Sequence, residues 1–189
     1  MDGVEILAFE DSVQLESWLA EHHELQTGVW LKIAKKSSGL ASVTSGEVIE
    51  VALCFGWIDG QRRSCDETHF FQKITPRRAR SHWSKVNVQK IDALTEAGRM
   101  REPGLAEVRA ARADGRWDAA YESQKNATVP PDLAAALEKN RAAREFFEQL
   151  DKTHSYAVIL RLLKVRTPES RAAQLRKIIA LLESGQRIR

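Results

Sequence analysis

The side chains best equipped for chemistry crowd into one stretch of this 189-residue chain, residues 56–90. It carries eight Lys or Arg against three acids, a net charge of +5. Arg62, Arg63, Arg77, Arg78, Arg80 and Lys85 are interleaved with Trp57, His69, Phe70, Phe71, His82 and Trp83. Guanidinium groups hold phosphate or carboxylate through paired N–H donors. Aromatic faces stack on bases or sugars. Together they point to capture of an anion: a nucleic acid, a nucleotide or a phosphorylated cell-envelope precursor. The candidate ligand-binding residues are Trp57, Asp59, Arg62, Arg63, Arg77, Arg78, Arg80, Trp83 and Lys85. The competing reading takes the rings as core and the cations as solvated, or paired with the acidic first segment.

Asp59 is the acid of most interest. It stands beside Trp57 and Ile58, with Arg62 and Arg63 following. A partly buried carboxylate needs a cation or N–H donors, so an ion pair or turn cap is the plain role for it. A general base in a cleft is the sharper one, and it makes a small enzyme the alternative function.

Other chemistries have weaker signals. Glu10, Asp11, Glu16, Glu21 and Glu24 could form an acidic ridge on the first helix, the basis for a second alternative, a metal or iron chaperone. His22 and His23 are neighbours and point different ways on a helix, and there is no HExxH. Cys65 with His69 or His82 is a nucleophile–base pair by proximity in sequence alone. There is no Walker A, no GxSxG and no dinucleotide fingerprint. No cofactor is therefore expected, and with no complete catalytic constellation a non-enzymatic binding protein is favoured.

These residues need a scaffold. Two extended runs broken at Asp66 and Glu67 predict a β-hairpin, on which Arg62 and Arg63 must point to opposite faces. Pro76, lacking an N–H, should end the second strand or lie on an edge. Before the hairpin, residues 4–9 read as a strand. A helix capped by Asp11 or Ser12 follows, with Val13, Leu15, Trp18, Leu19 and Leu25 as its apolar side. Residues 29–34 alternate as a second strand. Thr44 and Glu47 form a capping box that opens a helix through Phe55, with Val48, Val51, Ala52 and Phe55 inward. Gly56 stops it. Ser84 caps a helix ending near Gly98, with Val88, Ile91 and Leu94 inward, and Pro103 opens another that runs to Ala113. Beyond Pro130 and Pro131 helices are expected over 131–139, 141–150, 152–164 and 168–184.

The fold class expected is α+β: a small mixed or antiparallel sheet with packed helices over residues 1–121, a linker at 122–130, and a small all-α domain over 131–189. The chain is 43% hydrophobic and 29% charged, as ordinary globular proteins are. Residues 1–55 carry a net −6 and residues 91–189 a net +4. Two cysteines without a CxxC make no disulfide framework. No signal-peptide pattern and no long apolar run occur, so a reduced cytoplasm and no membrane span are expected. Oligomeric state is not legible.

The run Ala52-Leu53-Cys54-Phe55-Gly56-Trp57-Ile58-Asp59-Gly60, then Thr75-Pro76-Arg77-Arg78 and Ser81-His82-Trp83-Ser84-Lys85, resembles the bacterial YdeI/OmpD-associated family, also labelled bacteriocin-protection proteins. The likeness continues through Gly98-Arg99-Met100, Gly104-Leu105 and residues 114–121, and resumes at Val129-Pro130 and in the terminal helices. Cys65 and Ile74 stand where the family has Leu and Phe, and residues 162–171 follow its pattern only in part. The resemblance implies a role in tolerance of bacteriocins or antimicrobial peptides. Related small α+β proteins are grouped with frataxin-like iron chaperones, an analogy of fold that supplies no reaction.

Overall fold

The computed structural model describes residues 3–187. The chain divides into two compact units. The first runs to Trp83 and resumes over Asn87–Ala119; the second takes Ser84–Val86 and the chain from Ala120 onward.

In the first unit, β1 (Ile6–Leu7) leads through α1 (Ser12–His22) to β2 (Val29–Ala34); α2 (Ser45–Cys54) then precedes the hairpin of β3 (Trp57–Ser64) and β4 (His69–Pro76). The sheet order is β1-β2-β4-β3, with β1 parallel to β2 and the other pairs antiparallel. A mixed sheet with packed helices makes the protein α+β. Residues 4–9 give only the two-residue β1. β4 is an interior strand that ends at Pro76, where the missing N–H breaks no ladder.

The helices start where local chemistry requires it. The Asp11 side chain accepts from the Gln14 N–H at the head of α1. Thr44 and Glu47 close the capping box of α2, and the two bonds from Thr44 hold the Glu47 carboxyl below its ordinary range. Val48, Val51, Ala52 and Phe55 are buried as their spacing predicts. Val13 departs from expectation. Leu15 and Leu19, one turn apart, are fully buried, whereas Val13 is 70% exposed. Two residues from Leu15 is more than half a turn, so Val13 faces away.

The unit is completed by α3 (Lys85–Glu96), from Asn87 onward, and by α4 (Glu102–Ala113). Glu50 on α2 binds Lys90 at 3.0 Å and Arg99 at 3.4 Å, and Glu16 on α1 binds Arg101 at 2.6 Å. These acids of the first segment are thus neutralised by cations of α3 and the residues after it, not by the hairpin arginines.

The second unit contains α5 (Pro131–Lys139), α6 (Arg141–Glu148), α7 (Lys152–Leu163) and α8 (Pro168–Glu183). Leu133, Leu137, Ala143, Val158, Ile159, Leu162, Ile178 and Leu182 form its core. Arg171 on α8 grips both carboxylate oxygens of Asp132 on α5, at 2.7 and 2.9 Å, and donates to the Leu162 carbonyl. The residues between Ala120 and α5 group with this unit, and Ala127 packs against its core.

Candidate anion-binding cleft

Arg77 and Arg78 follow directly on β4. The Arg77 N–H donates to the Gly56 carbonyl at 3.0 Å, so the turn that ends α2 anchors the strand exit. Gly56 adopts φ +75°, a left-handed conformation that suits glycine after a helix. Arg77 is 7% exposed. Its guanidinium lies 3.6 Å over the Trp83 ring and donates to the His82 carbonyl at 2.8 Å. Trp83 in turn meets Trp117 at 5.1 Å between ring centroids. Nearby, buried Arg116 binds Asp114 and donates to the Ser81 carbonyl at 3.0 Å. Two inward guanidinium groups thus tie down the loop after β4. Arg78 and Arg80 are exposed on it, and Arg80 takes φ +61°.

One cleft of about 360 Å³ gathers Lys73, Arg77 and Arg78 with Thr27, Thr75 and Gln26. No carboxylate is among its lining residues. Lys73 and Thr75 alternate onto one face of β4. Gln26 and Thr27 arrive because Gly28 lets the loop before β2 lie directly on the end of β4. A Cβ at Gly28 would stand 2.4 Å from the Ile74 carbonyl oxygen and 2.6 Å from Thr75 Cγ2, and its φ is +67°. A second cavity of about 250 Å³ shares Gln26 and Arg77 and adds His23, Trp57 and Glu107.

The other expected site residues are placed elsewhere. Trp57 is 1% exposed and donates from Nε1 to the His23 carbonyl at 2.8 Å, with Trp18 edge-on at 6.3 Å. Trp83 is also 1% exposed, so neither indole offers a free stacking face. Arg62 and Arg63 do point opposite ways. Arg62 covers Phe70 at 4.0 Å and donates to Ser45 and to the buried Gln72. Arg63 covers Trp30 at 4.9 Å. Lys85 groups with the second unit, where it binds Glu122 at 2.5 Å. Among the described residues, Arg62, Arg63, Arg78 and Arg80 make no ion pair within 4.0 Å.

Asp59 pairs with Ile74, and Arg62 with Gln72, although three positions separate Asp59 from Arg62. A β-bulge at Gly60 and Gln61 sets two residues opposite Lys73 and brings Asp59 and Arg62 onto the same face. Burial raises the Asp59 carboxyl above its ordinary range; its own N–H, Arg62 and Arg77 pull the other way without cancelling this. Among the described residues it has no ion pair within 4.0 Å, so the expected ion-pair role is not what the structure gives it.

Two other readings gain no support from the geometry. Among the described residues no group of three or more His, Cys, Asp or Glu is placed to hold a metal ion. Of the five acids only Glu16 and Glu21 lie within α1, and Glu16 is taken by Arg101. The Cys65 thiol donates to Asp66 rather than to a histidine, and desolvation and that carboxylate push it up, away from a reactive thiolate. Among the described residues no helix is long and apolar enough to cross a membrane.

Of the cleft, sequence reasoning named Arg77 and Arg78 and missed Gln26, Thr27, Lys73 and Thr75. The period-2 spacing of Lys73, Thr75 and Arg77 was a usable signal. Nothing local marked Gln26 and Thr27.

Neither a curated protein nor a solved structure matches the chain. Residues 7–107, more than half of it, match the family model Domain of unknown function (DUF8412). Residues 126–185 match the model Bacteriocin-protection, YdeI or OmpD-Associated. The chain therefore belongs to the DUF8412 family and carries a bacteriocin-protection, YdeI or OmpD-associated domain in its second unit.

Proposed function

We propose that this protein binds a compact anionic ligand, a phosphorylated small molecule such as a nucleotide or an envelope-precursor fragment, and that it acts in the cytoplasm. The family match points to a bacteriocin-protection-type role. The observation that carries the ligand reading is the cleft itself: three cations and three neutral polar side chains with no lining carboxylate. A phosphate there meets paired guanidinium donors from Arg78, the ammonium of Lys73 and two threonine hydroxyls, the donor set that suits it. Arg77 contributes charge from a fixed position, because its contacts to Trp83 and His82 already orient it. A cleft of about 360 Å³ suits a small molecule. The burial of Trp57 and Trp83 argues against a polymer stacked along the hairpin.

Titration calorimetry with pyrophosphate, a nucleoside triphosphate and a single-stranded oligonucleotide tests this. Pyrophosphate and the nucleotide should bind saturably, and Lys73→Gln/Arg78→Ala should weaken both. Equal affinity in the wild type and the double variant would overturn the proposal.

A second reading, proton-transfer chemistry with Asp59 as general base, is supported by the burial that raises its carboxyl beside Arg62 and Arg77. Under it Asp59→Asn would keep pyrophosphate binding and abolish turnover of any substrate found.

A further inference from the structure

The second unit has a cavity of its own, about 750 Å³, made from the segment before α5 and the beginning of α7. Its floor is apolar. Ile159 belongs to the core of the unit, and Ala127 and Leu150 pack against that core. Lys125 and Lys152 line it as well and are exposed. Neither makes an ion pair within 4.0 Å among the described residues.

The charged groups beside it are already engaged. Asp151, which caps α7, accepts from the His154 N–H and meets His154 Nδ1 at 2.8 Å. Glu122 holds Lys85 at 2.5 Å, and its carbonyl accepts from the Tyr156 hydroxyl at 2.8 Å. The Ser155 hydroxyl donates to the Leu150 carbonyl at 3.3 Å. These bonds build the wall, and the charged side chains lining the cavity itself are Lys125 and Lys152. An apolar floor open to the unit's core, with two unpaired ammonium groups, matches a molecule with an apolar body and an anionic head.

We propose that this cavity binds a free amphipathic anion, with a hydrocarbon chain or ring over Ala127, Leu150 and Ile159 and a carboxylate or phosphate head at Lys125 and Lys152. The volume is within the range of small-molecule sites. The proposal uses no residue of the cleft between β4 and the Gly28 loop, so either can fail without the other.

The test is titration of the full chain with octanoate, decanoate and dodecanoate, each below its micelle concentration, with acetate and decanol as controls. Saturable one-site binding is expected, tightening about fourfold per methylene, with none for acetate. Lys125→Gln/Lys152→Gln should weaken decanoate about tenfold and leave decanol unchanged. Ala127→Trp should block both, with circular dichroism to report its fold; the lysine variant, on the surface, serves if that one unfolds. Three results would each overturn the proposal: no saturable binding, equal decanoate affinity in wild type and lysine variant, or binding only to vesicles of phosphatidylglycerol and not to monomeric decanoate.

Discussion

Two adjacent arginines, Arg77 and Arg78, line one cleft yet should fail in opposite ways. Arg77 is 7% exposed, lies 3.6 Å over an indole and donates to a carbonyl. A desolvated cation–π contact contributes about 2 kcal/mol, and a hydrogen bond from a charged group about 1.5–3 kcal/mol. The two share one guanidinium and do not simply add, and methionine keeps part of the packing. Arg77→Met should therefore cost about 3 kcal/mol, which at about 4 °C per kcal/mol lowers the melting midpoint of the first unit by about 12 °C. Arg78 is exposed and without an ion pair among the described residues, so Arg78→Ala should change stability by less than about 0.5 kcal/mol. It should weaken pyrophosphate binding about tenfold, the loss of one charge-assisted contact. Thermal melts read the first quantity and calorimetry the second. If Arg77→Met melts with the wild type, the guanidinium does not hold the loop after β4. If Arg78→Ala binds pyrophosphate as the wild type does, the cleft is not the anion site.

Gly28→Ala places a methyl group against the Ile74 carbonyl in a left-handed conformation; it should cost at least about 2 kcal/mol and weaken pyrophosphate binding as Gln26 and Thr27 withdraw, both read by melts and calorimetry on one preparation. Arg80→Gly removes a left-handed non-glycine residue and should stabilise by up to about 1 kcal/mol in a denaturant melt, the gain offset in part by unfolded-state entropy. Asp59 has a folded-state pKa raised by burial. Its ionisation therefore weighs against the folded state, with stability falling as pH rises from the ordinary carboxylate range through the folded value. Asp59→Asn should flatten that fall and be the more stable protein at neutral pH; a steeper profile in the variant would refute this. Asp132 has the opposite sign: Arg171 holds it low, so its contribution is complete above about pH 4 and is lost as pH drops through the folded value. Asp132→Asn should cost the second unit about 1 kcal/mol at pH 7, and the difference from the wild type should shrink as acid protonates the wild-type carboxyl.

Much of the scaffold was legible because its signals are local. A capping box needs only Thr44 and Glu47, three residues apart. The inward face of α2 needs only a period of 3.6, and the opposition of Arg62 and Arg63 only the period of a strand. Val13 misled because an apolar side chain in the first turn looks like part of a stripe until Leu15 and Leu19 set the direction of the core. The indoles misled in a different way. Trp57 and Trp83 stand among arginines in the chain, as stacking residues would, yet both are buried, and one of those arginines goes inside with Trp83.

By itself, then, the sequence determined the order of the main helices and strands, the apolar face of α2, that cations are concentrated around one hairpin, and the family resemblance carried by its motifs. Tertiary structure alone decided which of those cations share a cleft. That choice depends on the pairing of β2 with β4, which lays the Gly28 loop beside Thr75 across more than forty residues of chain. Tertiary structure also decided the surroundings of Asp59, because one extra residue at Gly60 and Gln61 turns it to the face of Arg62. Register between distant strands is a property of the packed sheet, and no periodicity within either strand encodes it.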